Sequence, residues 1–216
     1  MYNFVYEKAN TLEEVEKILN ENEESKILAG GQTLIPTMKQ RLASPSTLID
    51  ISDINELNFI NDNGDTITIG ATTTHNEVLS SEIVQSKIPS LAALAEGIGD
   101  PHVRNMGTIG GSISNNDPTA DYPTACLSLK AKIKTNKKEI SAEDFFIGLF
   151  ETALEENEIV ISVEFCIPQK ASYMKFPNPA SRYAMAGVYV SVFDDGINVS
   201  VTGASENGVF KWTEME

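Results

Sequence analysis

The sequence is poor in the residues that usually hold metals. Its 216 residues include two cysteines, Cys126 and Cys166, and two histidines, His75 and His102. A structural zinc site takes four Cys or His ligands, and an iron–sulfur cluster usually takes four cysteines. Neither a CxxC nor an HExxH sequence occurs. We therefore expect no metal site on this chain, and any electron chemistry needs an organic cofactor.

Long apolar runs and positive charge are also scarce. No run approaches the roughly 20 apolar residues that span a bilayer, and residues 1–7 lack the basic and apolar regions of a signal peptide. Lys and Arg number 16 against 31 Asp and Glu, so the net charge is −15. This balance argues against non-specific binding to nucleic acid or to anionic membranes. We expect a cytoplasmic protein whose cysteines are reduced apolar fillers, with any membrane association peripheral and through partners.

The N-terminal part of the sequence alternates between predicted strands and helices, which is an α/β pattern. Residues 4–6, 26–29 and 47–51 read as short strands. Thr11 and Glu14 fit a capping box at the start of a helix, and a second helix is predicted over residues 34–41. Two strands joined through a helix predict a parallel βαβ unit.

The rest of the chain is patterned differently, so we predict an α+β fold in three units, residues 1–55, 56–170 and 171–216. Asn63-Gly64 predicts a β-hairpin, and Thr74 with Glu77 fits another capping box. Residues 97–121 show little regular pattern and predict a long functional loop. The last unit is β-rich, and residues 212–216 look like the start of a helix.

Two glycine-rich segments stand out, and neither matches a Rossmann fingerprint or a P-loop. We name them the first segment, residues 27–34, and the second segment, residues 105–113. Glycines followed by a helix start can bind phosphate through backbone N–H groups. A tight strand–helix turn explains the first segment equally well. A surface Ω-loop is the alternative for the second, where we favour binding.

Several stretches together resemble a known family. They are AGGQTLIPTMK at residues 29–39, LID at 48–50, RNMGTIGG at 104–111, and the pairs Asp117-Pro118 and Ala120-Asp121. This set resembles the FAD-binding medium subunit of molybdenum hydroxylases, the family of aerobic carbon monoxide dehydrogenase and the xanthine dehydrogenase flavin domain. The resemblance implies a two-subdomain FAD-binding fold of the PCMH, or vanillyl-alcohol-oxidase, type. A C-terminal antiparallel β domain follows, and the family's longer C-terminus implies that this one is truncated.

The resemblance also implies which residues bind FAD. Contacts to the pyrophosphate region fall on both segments: Leu28, Ala29, Gly30, Gly31, Gln32, Thr33, Leu34, Thr108, Ile109, Gly110, Gly111 and Ser112. Asp121 would hydrogen-bond the cofactor, Lys175 would lie near the isoalloxazine, and Tyr183 would cover one flavin face. His102 would be a loop or flavin-edge contact.

Plainer interpretations stay open for these side chains. Asp121 could cap a helix beginning at Tyr122. Lys175 could be a solvated strand residue, and Tyr183 a core or subunit-interface residue. Arg104 could organise its loop by hydrogen-bonding carbonyl groups. Five lysines in the stretch 130–138 read most simply as a solvated hairpin, with a partner-docking patch as the minority interpretation.

The function that the resemblance implies is electron transfer. Electrons would come from a molybdopterin large subunit through a [2Fe-2S] small subunit, and FAD would pass them to a quinone or another acceptor. The assembly would be a dimer of heterotrimers, with no catalytic residue on this chain. Alternatives are a medium subunit of an aldehyde, xanthine or N-heterocycle dehydrogenase, a stand-alone FAD-dependent oxidoreductase, and an assembly protein that has lost FAD.

Overall fold

The structure is a computed structural model that describes residues 1–215. The strands are, in chain order, β1 (Val5–Lys8), β2 (Ser25–Leu28), β3 (Thr47–Asp50), β4 (Ile60–Asp62), β5 (Thr66–Gly70), β6 (Lys132–Thr135), β7 (Glu139–Ser141), β8 (Phe146–Gly148), β9 (Glu151–Thr152), β10 (Val160–Cys166), β11 (Lys170–Pro177), β12 (Ala184–Phe193), β13 (Gly196–Thr202) and β14 (Phe210–Lys211).

The helices carry most of the remaining regular structure. They are α1 (Leu12–Glu21), α2 (Leu34–Lys39), α3 (His75–Ser80), α4 (Glu82–Lys87), α5 (Pro89–Glu96), α6 (Pro101–Met106), α7 (Ile109–Asn115), α8 (Tyr122–Ser128) and α9 (Ala142–Phe145), with a 3-10 turn at Asn55–Leu57. Among the helices of residues 1–215, none combines the length and apolar character of a membrane span.

The first sheet is parallel and has the order β1-β3-β2. Helix α1 begins at Thr11, whose Oγ1 accepts from the Glu14 N–H at 3.3 Å as predicted. The predicted capping box is only half formed, because the Glu14 carboxylate accepts from the Asn10 N–H at 2.7 Å and not from the Thr11 N–H. The buried side chains of Val15 and Leu19 attach the helix to this sheet. The predicted parallel βαβ unit is confirmed, with β3 inserted between the two strands.

The second sheet is antiparallel, in the order β4-β5-β10-β6-β7. The predicted Asn63-Gly64 hairpin joins β4 to β5, and Gly64 has φ +93°. The capping box at Thr74 is also present. Buried side chains of β5 and β10 pack against α3, α5, α7 and α8 to form the largest apolar core. This core sets the position of the second segment, because α7 is part of it.

The third sheet has the order β11-β12-β13-β14 and packs on α8. Buried polar side chains from it satisfy carbonyl groups of α8: Ser200 Oγ donates to Thr124 O at 2.7 Å, and Asn198 Nδ2 and Ser191 Oγ donate to Ser128 O at 3.1 and 2.5 Å. These bonds hold β11, which carries Lys175, in place beside the start of α8.

Two predictions of local structure are wrong. Residues 97–121 are not a long loop, because they contain α6 and α7. Asp100 accepts from the N–H groups of the first turn of α6, and Thr108 accepts from the Gly111 N–H at the start of α7. Both helices are too short to show a helical pattern in the sequence, and the two glycines of α7 also have low helix propensity. The helix predicted over 212–216 is a turn at 213–215, where the Met215 N–H donates to Trp212 O; Glu216 lies outside the described residues.

Candidate functional site

A cleft of about 810 Å³ runs between the first segment, the second segment and the third sheet. Its volume lies in the upper part of the range for small-molecule sites. Residues 154–160 line it as well, and Lys175 and residues 181–183 line it from the third sheet. The cleft is therefore built from the three larger sheets and their connections.

The first segment presents backbone donors that the protein does not use. It connects β2 to α2, and Gly31 makes the turn at φ +68°. Within residues 1–215 no acceptor is found for the N–H groups of residues 30–34, and the Thr33 side chain does not cap α2. All five residues line the cleft. A row of free N–H groups at the start of a helix suits an anion.

The second segment is different, because its N–H groups are consumed inside the protein. The N–H of Ile109 donates to Thr73 O at 3.0 Å, and that of Gly110 donates to Ala71 O at 2.9 Å. The next two N–H groups bond to Thr108, through its Oγ1 at 3.1 Å and its carbonyl at 3.0 Å. Its glycines therefore serve close packing: a Cβ on Gly110 would lie 2.6 Å from both Cβ and O of Ala71.

The two segments touch at Gly30. A Cβ at this position would lie 1.9 Å from the carbonyl oxygen of Met106 and 2.8 Å from Gly107 Cα. These are backbone atoms, which cannot rotate away as a flexible side chain can. Only glycine lets the segments approach this closely, so the width of the cleft depends on Gly30.

Asp121 and Lys175 form an ion pair at the cleft wall. The Lys175 Nζ lies 2.9 Å from Asp121 Oδ2, and their side chains are 10% and 5% exposed. Lys175 also donates to Gly97 O at 3.0 Å, and Tyr173 donates to Asp121 Oδ1. The solvated interpretation of Lys175 is therefore wrong. The helix-cap interpretation of Asp121 is wrong too, because its side chain makes no cap bond to α8.

Burial dominates the electrostatics of this pair. Burial raises the pKa of Asp121, while the Lys175 charge and the hydrogen bonds from Lys175 and Tyr173 act in the opposite direction. The pKa of Tyr173 is also raised, first by burial and then by the Asp121 charge. Tyr183 is 45% exposed on the cleft wall, and burial raises its pKa.

His75 is a cleft-lining residue that the sequence reasoning missed. It is 5% exposed, its backbone N–H donates to Gly107 O at 2.9 Å, and its ring lies 5.3 Å from that of Tyr122. Within the described residues its Nδ1 has no partner. Burial, and secondly the Arg104 charge, lower its pKa to about 4. The imidazole is therefore neutral at pH 7.

Residues 154–160, which also line the cleft, were not predicted from the sequence either. The buried Glu158 carboxylate holds this loop: it accepts from Thr135 Oγ1 at 2.5 Å and from the Glu155 N–H at 2.8 Å. Arg182, with φ +63°, is a further cleft residue outside the prediction. No local pattern marks these positions, because strands distant in sequence bring them to the cleft.

Most of the predicted site residues line the cleft. They are Leu28, Ala29, Gly30, Gly31, Gln32, Thr33, Leu34, Thr108, Gly110, Gly111, Ser112, Asp121, Lys175 and Tyr183. Ile109 and His102 are not among the lining residues. Ile109 is fully buried in the large core, and His102 is exposed on α6. The expected contacts of these two residues therefore do not fit the cleft.

The contacts of nearby charged groups bear on two alternative interpretations, that of Arg104 and that of the lysines in the stretch 130–138. Arg104 Nη1 donates to the carbonyl groups of Ile98 and Gly99 at 3.2 and 3.4 Å, as the loop-organising interpretation expected. Most lysines of the 130–138 stretch form ion pairs: Lys130 with Asp195, Lys132 with Glu139, and Lys137 and Lys138 with Glu155. A free basic docking patch is therefore disfavoured. Within residues 1–215 no three His, Cys, Asp or Glu side chains are grouped as metal ligands.

Comparison with known proteins identifies the family. A family model described as the FAD binding domain in molybdopterin dehydrogenase matches residues 2–169. The chain belongs to this family. The glyceraldehyde dehydrogenase medium chain of Sulfolobus acidocaldarius is 40% identical over 99% of this chain and 79% of its own length. The carbon monoxide dehydrogenase medium chain of Hydrogenophaga pseudoflava is 37% identical over 91% of this chain and 71% of its own.

Solved structures agree with this assignment. Reconstituted carbon monoxide dehydrogenase from Oligotropha carboxidovorans superposes with a TM-score of 0.92 at 29% identity, covering 99% of this chain and 79% of that one. The Hydrogenophaga pseudoflava enzyme superposes with a TM-score of 0.91 at 34% identity, covering 97% and 77%. The α+β FAD-binding fold is confirmed, and the chain is an FAD-binding subunit of the molybdopterin dehydrogenase family.

The residues present fit FAD. The free N–H groups of residues 30–34 suit a pyrophosphate, and Gly30 keeps the backbone open where a Cβ would close it. The cleft is also large enough for an extended dinucleotide.

Proposed function

We propose that the cleft binds FAD with its pyrophosphate on the first segment and its isoalloxazine at the Lys175 end. The observation that carries this orientation is the row of unused N–H groups at residues 30–34. Lys175 on β11, Asp121 before α8 and Tyr183 in the β11–β12 connection also line the cleft. When bound, FAD supplies a carrier that accepts electrons singly and releases them in pairs.

The chain's own residues have three roles in this proposal. The first segment binds the cofactor's negative charge through fixed backbone donors. Lys175 holds a positive charge at the cleft wall, where it would favour a more electron-rich flavin. Tyr183 covers the cleft beside it and excludes water.

A ligand series tests the orientation. FAD, FMN and riboflavin are titrated into the FAD-free chain and followed by flavin absorption and fluorescence. Hydrogen bonds to charged groups each contribute about 1.5–3 kcal/mol, so two such bonds predict that FAD binds about a hundredfold or more tightly than riboflavin. Equal affinities for FAD and riboflavin would contradict binding of the pyrophosphate by residues 30–34.

We further propose that the chain works as the medium subunit of a molybdenum-containing dehydrogenase. Electrons would reach it from a [2Fe-2S] small subunit served by a molybdopterin large subunit, in a dimer of heterotrimers, and leave to a quinone or another acceptor. Support comes from relatives that are named as medium chains. Purification from the native host should recover two partner chains with Mo and Fe. A yellow protein that oxidises a substrate alone would overturn this assignment.

Two finer points also stand as proposals. The division into residues 1–55, 56–170 and 171–216 is supported by the three larger sheets, because each takes all its strands from one of these parts of the chain. A cytoplasmic location is supported by two free thiols, Cys126 and Cys166, as expected in a reducing compartment.

A further inference from the structure

Strand β11 directs two side chains at one carboxylate. Residues two apart on a strand point to the same face, and both Tyr173 and Lys175 reach Asp121. Tyr173 uses Oδ1 and Lys175 uses Oδ2, at 2.9 Å for the lysine. Each oxygen of this buried carboxylate therefore has its own donor from the same strand.

The Tyr173 hydroxyl lies over a glycine of the neighbouring strand. Gly187 is paired with Lys175 across β11 and β12, and a Cβ on Gly187 would lie 2.5 Å from Tyr173 Oη. The Tyr173 ring packs on that of Tyr189, with centroids 5.9 Å apart. A side chain at 187 would push the hydroxyl away from Asp121, so Gly187 gives the tyrosine its position.

We propose that Tyr173, held over Gly187, is a positioning residue that sets how strongly Asp121 binds the Lys175 ammonium at the cleft wall. A hydrogen bond from a phenol stabilises a carboxylate and draws charge away from its oxygens. The Asp121 carboxylate then attracts the Lys175 ammonium less strongly. It therefore cancels less of the positive electrostatic potential that the ammonium produces in the cleft. This role rests on the proposed FAD site.

Two other tyrosines interact with the Asp121 charge. The pKa of the core residue Tyr122 and that of the cleft residue Tyr183 are raised first by burial, and the Asp121 charge acts in the same direction. Lys175 is the cation whose charge opposes the effect of burial on Asp121. Removing the Tyr173 hydroxyl changes one hydrogen bond in this group and no formal charge.

The test compares Tyr173→Phe with Tyr189→Phe in the FAD-loaded chain. Both remove a buried phenol hydroxyl, but that of Tyr189 bonds to Ser90 at 2.6 Å and not to Asp121. Tyr173→Phe should weaken binding of reduced FAD relative to oxidised FAD about threefold, which lowers the two-electron midpoint potential by about 14 mV. Tyr189→Phe should leave the potential unchanged. A potential that is equal in native and Tyr173→Phe protein overturns the proposal.

A second readout needs no cofactor. Carbon-13 NMR of the aspartate carboxyl groups in the FAD-free chain should show a higher pKa for Asp121 in Tyr173→Phe than in the native chain, because a donor to the charged form is lost. An unchanged Asp121 pKa overturns the contact itself. If no variant binds FAD but the pKa rises, the proposed function and the flavin-tuning role fail while the contact stands.

Gly187→Ala checks the part played by the glycine. In the native background it should raise the Asp121 pKa as Tyr173→Phe does. In the Tyr173→Phe background it should add no further rise, because the hydroxyl that it would displace is gone. Equal effects of Gly187→Ala in both backgrounds contradict this coupling.

Discussion

The two glycine-rich segments look alike in sequence and do opposite things. In the first segment the N–H groups of residues 30–34 have no acceptor among residues 1–215, whereas the second uses its N–H groups at residues 109–112 on Ala71, Thr73 and Thr108. The first is therefore available to a ligand, and the second is a packed wall that supports it. Glycine content alone does not separate a binding loop from a packing element.

Gly30→Ala tests the contact between the segments and should have the largest effect. Its Cβ would overlap the Met106 carbonyl at 1.9 Å, so the segments must separate and the cleft must change shape. We expect FAD affinity to fall about a thousandfold, equivalent to about 4 kcal/mol, in a fluorescence titration. Gly148→Ala is the control, since its Cβ would make only an ordinary contact with Glu151 Oε2 at 3.7 Å and the residue does not line the cleft. An unchanged FAD affinity of the Gly30→Ala variant would contradict the conclusion that the contact between the two segments sets the shape of the cleft.

The pH dependence of the unfolding free energy tests whether a neutral, buried His75 supports the second segment. Its folded pKa of about 4 lies below its ordinary 6.5, so its contribution to stability is complete above pH 6.5 and is lost as pH falls toward 4. The loss reaches about 3 kcal/mol, because each pH unit between the two values costs about 1.4 kcal/mol.

The measurement is urea unfolding between pH 7.5 and pH 4. His75→Leu removes the titrating ring and should flatten the pH dependence of the unfolding free energy below pH 6.5. His102→Gln changes the exposed histidine and should keep the native pH dependence. Parallel curves for native and His75→Leu protein would refute a neutral buried His75.

Gly110→Ala and Gly111→Ala compare neighbours within the second segment. A Cβ at 110 would meet the backbone of Ala71, whereas one at 111 would meet only Thr108 Oγ1, at 3.0 Å. Overpacking should destabilise the FAD-free Gly110→Ala chain by about 2 kcal/mol, and Gly111→Ala should stay within about 0.5 kcal/mol. Urea midpoints measure both, and similar losses would show that α7 is not anchored at Gly110.

Lys175→Met has the smallest expected effect and tests the part of the cleft that strand β11 lines. Loss of the ammonium should weaken reduced FAD about tenfold relative to oxidised FAD, and this lowers the midpoint potential by about 30 mV, or about 1.4 kcal/mol. Spectroelectrochemistry of the loaded chain measures the shift. Lys134→Met, on the exposed side of β6, is the control and should leave the potential unchanged.

Much of the local structure could be predicted because its causes are local. The Thr11 helix cap, the capping box at Thr74 and the Asn63-Gly64 hairpin each depend on residues within a few positions of one another. Helices α6 and α7 were not predicted because both are short and because α7 contains two glycines, which resemble a loop. His75 escaped because its burial depends on packing with Tyr122, which is distant in sequence.

The sequence by itself determined the family, and with it FAD, through two motifs at a set separation. It also determined the local strands and caps. Tertiary structure decided which glycine segment keeps its N–H groups free, because the acceptors at Ala71 and Thr73 come from a different part of the chain. It also decided that Asp121 pairs with Lys175 and Tyr173 and does not cap α8. A buried carboxylate takes the strongest donors that folding brings within reach, and these lie more than fifty residues away.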